Sequence, residues 1–280
     1  MAKKNIPTYE LPLSMPIIFE RIEDRPDDFV NNPHRHEFYE ILWFKNDGSE
    51  HVVDFQPFPV KKDTIFFLAP GKVHQMDPAD KKGFLLVFSQ NFISQITFPQ
   101  EDNFFNLFYS FDNIPFIQPS KDEVHKLNIL FELIVLEYNN VSNDTTILQT
   151  HLRAFLLHAQ RIKGQTEKVI SGKSHERLVQ LFQLIETHYK TEKTADFYST
   201  HLALTPKRVN EIAKARFGKT VTQLVRERLL LEAKRELYFG KRSIKEIAYM
   251  LGFKDPAYFS RFFKKQTGIT PEKFKAKMFK

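Results

Sequence analysis

Between Thr194 and Gly268 one pattern is written twice: a short amphipathic stretch, a tight turn, a capping residue followed by proline, and a second amphipathic stretch that ends at a glycine. The first copy runs from Thr194 to Gly218, with Thr205-Pro206 opening its second half; the other runs from Ser243 to Gly268, with Asp255-Pro256 in the same place. The pattern predicts a tandem helix-turn-helix.

The boundary signals agree with one another. Ser243 and Glu246 have the spacing of a capping box, in which the serine accepts a backbone amide and the glutamate reaches back. Gly252 stands where the preceding helix must stop, because glycine enters the left-handed region without a steric penalty. Thr205 and Asp255 can cap, and the prolines after them lack an amide that a first helical turn leaves unpaired anyway.

Periodicity then separates the faces of each second helix. Phe259, Phe262 and Phe263 recur at helical spacing and turn inward, which leaves Ala257, Ser260, Arg261 and Lys264 outside. In the first copy Val209, Ile212 and Ala213 turn inward and leave Lys207, Asn210, Glu211 and Lys214. These outer faces suit a major groove: arginine can grip guanine, asparagine adenine, glutamate can accept from cytosine, and a small alanine can touch the thymine methyl. A solvated helix face is the plainer alternative.

Val221 to Tyr238 joins the copies with good helix formers and no internal glycine or proline. About 18 residues at about 1.5 Å each give roughly 27 Å, enough to hold two recognition helices about one duplex turn apart. Charge follows the same division. Ser171 to Lys280 holds 24 Lys and Arg against 11 Asp and Glu, a net +13, so the total of +7 leaves −6 for the rest of the chain. A basic domain of this kind attracts phosphate.

The run Ser243-Ile-Lys-Glu-Ile-Ala-Tyr-Met-Leu-Gly-Phe253, then Asp255-Pro-Ala-Tyr-Phe-Ser-Arg-Phe-Phe-Lys-Lys265 and Thr267-Gly-Ile-Thr-Pro271, resembles the signature of AraC/XylS-type transcriptional regulators. Arg228, Leu229, Glu232, Ala233 and Lys234 in the linking helix and Phe217-Gly218-Lys219 after the first unit extend the resemblance over roughly the last hundred residues. It implies base contacts from Lys207, Asn210, Glu211, Ala257, Ser260 and Arg261. Thr205, Arg208, Lys214, Lys219, Tyr258, Lys264 and Lys265 are expected on the DNA backbone. The first unit departs from the family pattern at Ser199, where a small alanine is common, and at Ala203, where glycine usually makes the turn.

The first 115 residues read as β-rich, with the best strands at Phe38 to Phe44, His51 to Phe55, Thr64 to Leu68 and Gly83 to Phe88, separated at Asn46-Asp47-Gly48, at Pro57 to Pro59 and at Pro70-Gly71. Regularly spaced short strands predict a barrel or jelly roll. His34-Arg35-His36 with Glu40, and Pro70-Gly71-Lys72-Val73-His74, resemble the two motifs of a cupin, the domain that such regulators commonly use for effector sensing. In metal-binding cupins the corresponding ligands would be His34, His36, Glu40 and His74. Asp63 and Ala69 depart from the second motif, and these four residues are expected to line an effector pocket, with no metal and no cofactor assigned.

Two helical segments follow, Asp122 to Asn139 and Thr145 to Ile162. Val124, Leu127, Phe131, Ile134 and Tyr138 stripe the first; Leu148, Leu152, Phe155, Leu156 and Ala159 stripe the second. Packing on their own barrel and dimerisation are both open readings of these stripes. Lys163 to Lys173 reads as a tether. The expected organisation is an α+β multidomain chain: a cupin-like β-barrel or jelly roll at 1–120, a helical packing or dimerisation segment at 121–163, a linker at 164–173, and an all-α tandem helix-turn-helix domain at 174–280 with units at 194–218 and 243–268.

Other functions are constrained by what the chain lacks. With no cysteine, disulfides, thiolate catalysis and cysteine-held clusters are excluded. There is no nucleophile elbow, no phosphate-cradling glycine loop and no close metal pair on a helix, so no enzyme is expected. His125, His151, His158, His175, His188 and His201 are scattered, and Arg177, Lys190 and Lys193 read equally as solvated charges or phosphate contacts. No stretch has the length and apolarity of a membrane span, which favours the cytoplasm. The expected partners are double-stranded DNA, a small-molecule effector, a second copy of the chain and, for an activator, RNA polymerase. A metal-dependent cupin enzyme with a DNA-targeting tail and a ligand-independent architectural protein are the rival readings.

Overall fold

The computed structural model describes residues 8–12, 16–25, 31–48, 50–76, 82–94, 96, 105–109, 114–166, 173–239 and 242–278. The chain divides into two compact units, one within residues 6–170 and the other holding 171–280.

In the first unit, β2 (Ile17–Arg21), β4 (Tyr39–Phe44), β7 (Ile65–Leu68), β9 (Gly83–Phe88) and β10 (Phe116–Ile117) form an antiparallel sheet in the order β10-β7-β4-β9-β2. A smaller antiparallel sheet has the order β6-β5-β8, from β5 (Glu50–Val53), β6 (Gln56–Pro59) and β8 (His74–Met76). Short β1 (Thr8–Tyr9) pairs in parallel with β3 (Arg35–His36). Pro57 to Pro59 is thus not only a separator: it belongs to β6 at a sheet edge, where a residue without a backbone N–H costs no ladder bond. At the other end of that hairpin turn, Asp54 and Phe55 have left the strand and stand at positive φ.

Strand β4 fixes how the site is built, because all six of its residues are buried and successive side chains alternate between faces. Tyr39, Ile41 and Trp43 point to one core, together with Ile65, Phe67, Leu86 and Phe88. That core is closed by Leu127, Phe131 and Ile134 of α3 (Lys121–Tyr138) and by Leu148, Leu152, Phe155 and Leu156 of α4 (Thr145–Thr166). Leu42 and Phe44 point the other way, toward Val53, Phe66, Leu68, Met76, Leu85 and Val87. Glu40 shares their face. The striped sides of α3 and α4 therefore pack on their own sheet. Two short helices, α1 (Gln90–Ser94) and α2 (Phe105–Phe108), complete the unit.

The expected tether at 163–173 begins too early. Helix α4 continues to Thr166 through Gly164, and Lys163 is buried with its Nζ donating to the Ile114 carbonyl at 2.9 Å. Residues 167–172 lie outside the described residues, and α5 (Lys173–His188) starts directly after them.

The second unit is helical: α5, α6 (Ala195–His201), α7 (Pro206–Phe217), α8 (Val221–Phe239), α9 (Ile244–Met250), α10 (Pro256–Thr267) and α11 (Pro271–Met278). One core gathers Leu181, Ile185, Tyr198, Val209, Ala213, Leu229, Ala233, Ile247, Phe259 and Phe263. Among the described residues no helix is long and apolar enough to cross a membrane.

Candidate nucleic-acid interface and ligand pocket

Helix α7 starts as its sequence dictates. Thr205 is the N-cap and accepts from the Arg208 amide, Pro206 fills the first turn, and Gly218 closes the helix at φ 65°. Helix α10 repeats the construction: the Asp255 carboxylate accepts from the Ala257 and Tyr258 amides at 2.9 and 3.1 Å, and Gly268 ends it at φ 80°. The capping box of Ser243 and Glu246 on α9 is present in both directions. The two short turns also match. Ala203 stands at φ 51° where Gly252 stands at φ 71°.

On α7, Lys207, Arg208, Glu211 and Lys214 are exposed, with Val209, Ile212 and Ala213 beneath them. Arg208 and Glu211 pair at 3.0 Å. Asn210, expected on the base-reading face, also has partners within its own unit. It is only half-buried, but its amide nitrogen donates to the Pro206 carbonyl at 2.9 Å and its Oδ1 accepts from the Val221 amide at 3.0 Å. The side chain thereby satisfies one of the amides that the start of α8 leaves open. On α10, Ala257, Tyr258, Arg261, Lys264 and Lys265 are exposed and Ser260 is half-buried. Arg261 reaches back to within 3.6 Å of Asp255. Lys219 pairs with Glu227 at 2.9 Å.

Two cations that could be read either way have structural partners. Arg177 donates to the Leu202 carbonyl. Lys193 donates to the Gly252 carbonyl at 2.6 Å and lies over the Phe253 ring. In the same unit, Arg228 of α8 binds Glu186 of α5 and Glu232 one turn along. The family signature carries Arg228 and Glu232; Glu186 lies outside it and gave no sequence signal.

In the first unit the four pocket candidates meet at one place. His34 and His74 exchange backbone hydrogen bonds, β3 brings His36, and β4 brings Glu40 on its inward face. His36 Nε2 lies 2.9 Å from Glu40 Oε2, and His74 Nε2 lies 3.2 Å from the same oxygen. All four side chains are buried. A fifth residue joins them: His51 Nε2 lies 3.1 Å from His74 Nδ1. Sequence reasoning missed His51, although its alternation with Val53 on a strand paired to β8 points it the same way.

Burial governs the charge states. It lowers His34, and it takes His74 well below the ordinary histidine value, with the neighbouring histidines adding to the effect. For Glu40 burial pushes upward, but His36 outweighs it by charge and hydrogen bond, so the carboxyl is held below its usual range. Arg25 adds a further positive charge near Glu40 and borders a cleft of about 550 Å³ lined also by Phe19, Glu20, Arg21 and Asp24.

Residues 16–87 match the family model described as an AraC-like ligand binding domain, and residues 198–277 match one described as a helix-turn-helix domain. The HTH-type transcriptional activator RhaS of Yersinia pestis bv. Antiqua (strain Angola) is 21% identical over 264 residues, covering 92% of this chain and 93% of RhaS. Among solved structures, ToxT of Vibrio cholerae is 12% identical over 92% of this chain and 97% of its own, with a TM-score of 0.44. The C-terminal domain of the response regulator yesN from Fusobacterium nucleatum is 28% identical over 34% of this chain and 93% of its own, with a TM-score of 0.33.

Proposed function

The chain belongs to the AraC-type transcriptional regulators, and on that premise we propose that it is a ligand-responsive activator whose two recognition helices enter successive major grooves of one duplex. The observation that carries this reading is the repeated construction of α7 and α10: each is capped, proline-started and glycine-ended, with a basic outer face over a buried apolar one. The 19 residues of α8 between them span about 28 Å at about 1.5 Å per residue, close to one turn of B-form DNA.

In this reading Lys207, Glu211, Ala257, Ser260 and Arg261 meet base edges. Thr205, Arg208, Lys214, Lys219, Tyr258, Lys264 and Lys265 meet phosphates and supply salt-dependent affinity. Asn210 serves the fold of the unit instead. Effector binding at His34, His36, Glu40 and His74 shifts an existing equilibrium between arrangements of the DNA-binding units. The protein works as a cytoplasmic homodimer that recruits RNA polymerase, and it is not an enzyme. For the dimer, Ile129, Leu133 and Leu136 support a self-contact on α3: they lie one helical face apart from the packed stripe and are 48%, 38% and 70% exposed.

Footprinting of the full chain on duplexes it retains in the presence of excess competitor DNA tests the reading. Protection of two adjacent major-groove faces, about one turn apart for each chain, is the expected result. Binding equal to that of competitor, with no defined footprint, overturns it.

A further inference from the structure

At the tight turn of each helix-turn-helix a backbone carbonyl is taken by a cation that α5 or the loop after it supplies. Arg177 of α5 donates to the carbonyl of Leu202, the C-cap of α6. Lys193 stands in the loop between α5 and α6, and its Nζ donates at 2.6 Å to the carbonyl of Gly252, one residue past the C-cap of α9. Cations suit these positions, where a helix leaves its last carbonyls unpaired. The two contacts differ in reach. Arg177 serves the helix-turn-helix at 194–218, whereas Lys193 crosses from the loop leading into that motif to the turn of the other, at 243–268. Both donors lie outside residues 198–277, the range of the helix-turn-helix model.

The crossing is built from both sides. Gly252 stands at φ 71°, and a Cβ there would lie 2.0 Å from the Lys190 carbonyl oxygen, so the loop backbone rests directly on the turn. The Lys193 ammonium lies 4.0 Å from the centre of the Phe253 ring, which is buried. The loop is itself pinned. The Tyr198 hydroxyl of α6 donates to the Glu192 carbonyl at 2.8 Å, the Glu192 amide donates to the His188 carbonyl at 2.8 Å, and the Arg228 guanidinium of α8 lies 4.2 Å from the Tyr189 ring centre. We infer that residues 189–193 form a brace between the two helix-turn-helix motifs, in which Lys193 is the positioning residue that fixes the separation and rotation of α7 against α10 and, on the DNA-binding reading, the half-site spacing that the chain accepts. With one recognition helix seated, the other meets its groove at an effective concentration that a stiff connection raises at one spacing and lowers at others. One inserted base pair moves the second half-site about 3.4 Å along and about 35° around the duplex, more than a braced pair of helices follows.

The brace is tested first without DNA. The chain has no cysteine, so Ala215→Cys on α7 and Gln266→Cys on α10, both exposed, place two spin labels and no others in the full-length protein. The expected result is one narrow label-to-label distance. Lys193→Met, which removes the donor and keeps the apolar stem over Phe253, should broaden it, and Lys193→Arg should restore it. Gly252→Ala, which drives the Lys190 carbonyl off the turn, should shift the same distance. On duplexes that the wild-type chain selects from a random pool, Lys193→Met should bind the two-part site about tenfold more weakly and a single half-site within about twofold of wild type, and should discriminate less against a one-base-pair insertion. An unchanged distance in both Lys193→Met and Gly252→Ala overturns the brace. Equal loss on two-part and single sites overturns the positioning role and makes Lys193 a phosphate contact. If the wild-type chain selects no motif, the regulator reading fails while the label distances still decide the brace.

Discussion

Arg228 Nε donates to both carboxylate oxygens of Glu186, at 2.9 and 2.8 Å, and so ties the linking helix α8 to α5. Its Nη1 donates to Glu232, which also accepts from Arg235, and its guanidinium stacks on the Tyr189 ring. These charges are largely withdrawn from solvent, and each is balanced by an opposite partner. A one-sided loss would leave a buried charge uncompensated.

Acid should loosen this network in a definite window. Burial pushes the Glu232 carboxyl upward, but Arg235 and Arg228 override it and bring its pKa to about 2, from an ordinary 4.5. A folded pKa below the unfolded one gives stability that is complete above about pH 4.5 and lost as pH falls toward 2. Linkage puts it at about 3 kcal/mol. Hydrogen exchange of α8 amides should show flat protection from pH 7 to 5.5 and a decline below 4.5. Glu232→Gln should be less protected at neutral pH and show a shallower acid decline; an unchanged acid profile would contradict the assignment.

The two turns should respond oppositely to the same pair of residues. Ala203 sits at φ 51°, where a Cβ is strained, so Ala203→Gly should stabilise the unit by about 0.5 to 1 kcal/mol. At Gly252 a Cβ would stand 2.0 Å from the Lys190 carbonyl oxygen, and the residue is at φ 71°. Gly252→Ala should therefore cost at least about 2 kcal/mol. Urea unfolding of both variants checks the pair.

Asn210→Ala should lower stability by about 1 kcal/mol, because the Val221 amide loses its acceptor. Base preference in binding assays should stay the same. A change confined to one base position would return Asn210 to the reading face.

Leu136→Glu places a charge on the exposed face of α3 without entering the core. On the proposed self-contact through α3, the wild-type chain sediments as a dimer and the variant as a weaker one, at unchanged thermal stability. An unchanged dimer would move the self-contact elsewhere.

How far these features could be read from sequence depended on whether their signal was local. The starts of α7, α9 and α10 were legible because Thr205-Pro206, Ser243-Glu246 and Asp255-Pro256 carry the capping chemistry within four residues. The faces of α3 and α4 were legible from periodicity, and β4, β7 and β9 from continuous apolar runs. Strands β2 and β10 were not. The first is polar at Glu20 and Arg21 and the second is two residues long, so partners distant in sequence decide them. Gly164 suggested a helix end, but Lys163 and its bond to Ile114 carry α4 past it. The same limit holds at the sites. Asn210 has the spacing of an outward residue, and only the tertiary position of Val221 claims its amide. His51 entered the histidine group through strand pairing, which no motif spacing encodes.

Selection of bound duplexes from a random DNA pool, at a fixed salt concentration and in parallel for wild type and Arg261→Ala, tests the central claim most directly. The account predicts a motif with two parts about one helical turn apart. It also predicts that Arg261→Ala loses roughly 1 to 3 kcal/mol on that motif and relaxes one position within it. Recovery of no motif, with binding that vanishes as salt rises and is weakened equally on all sequences by Arg261→Ala, would contradict base reading and leave α10 a phosphate contact alone.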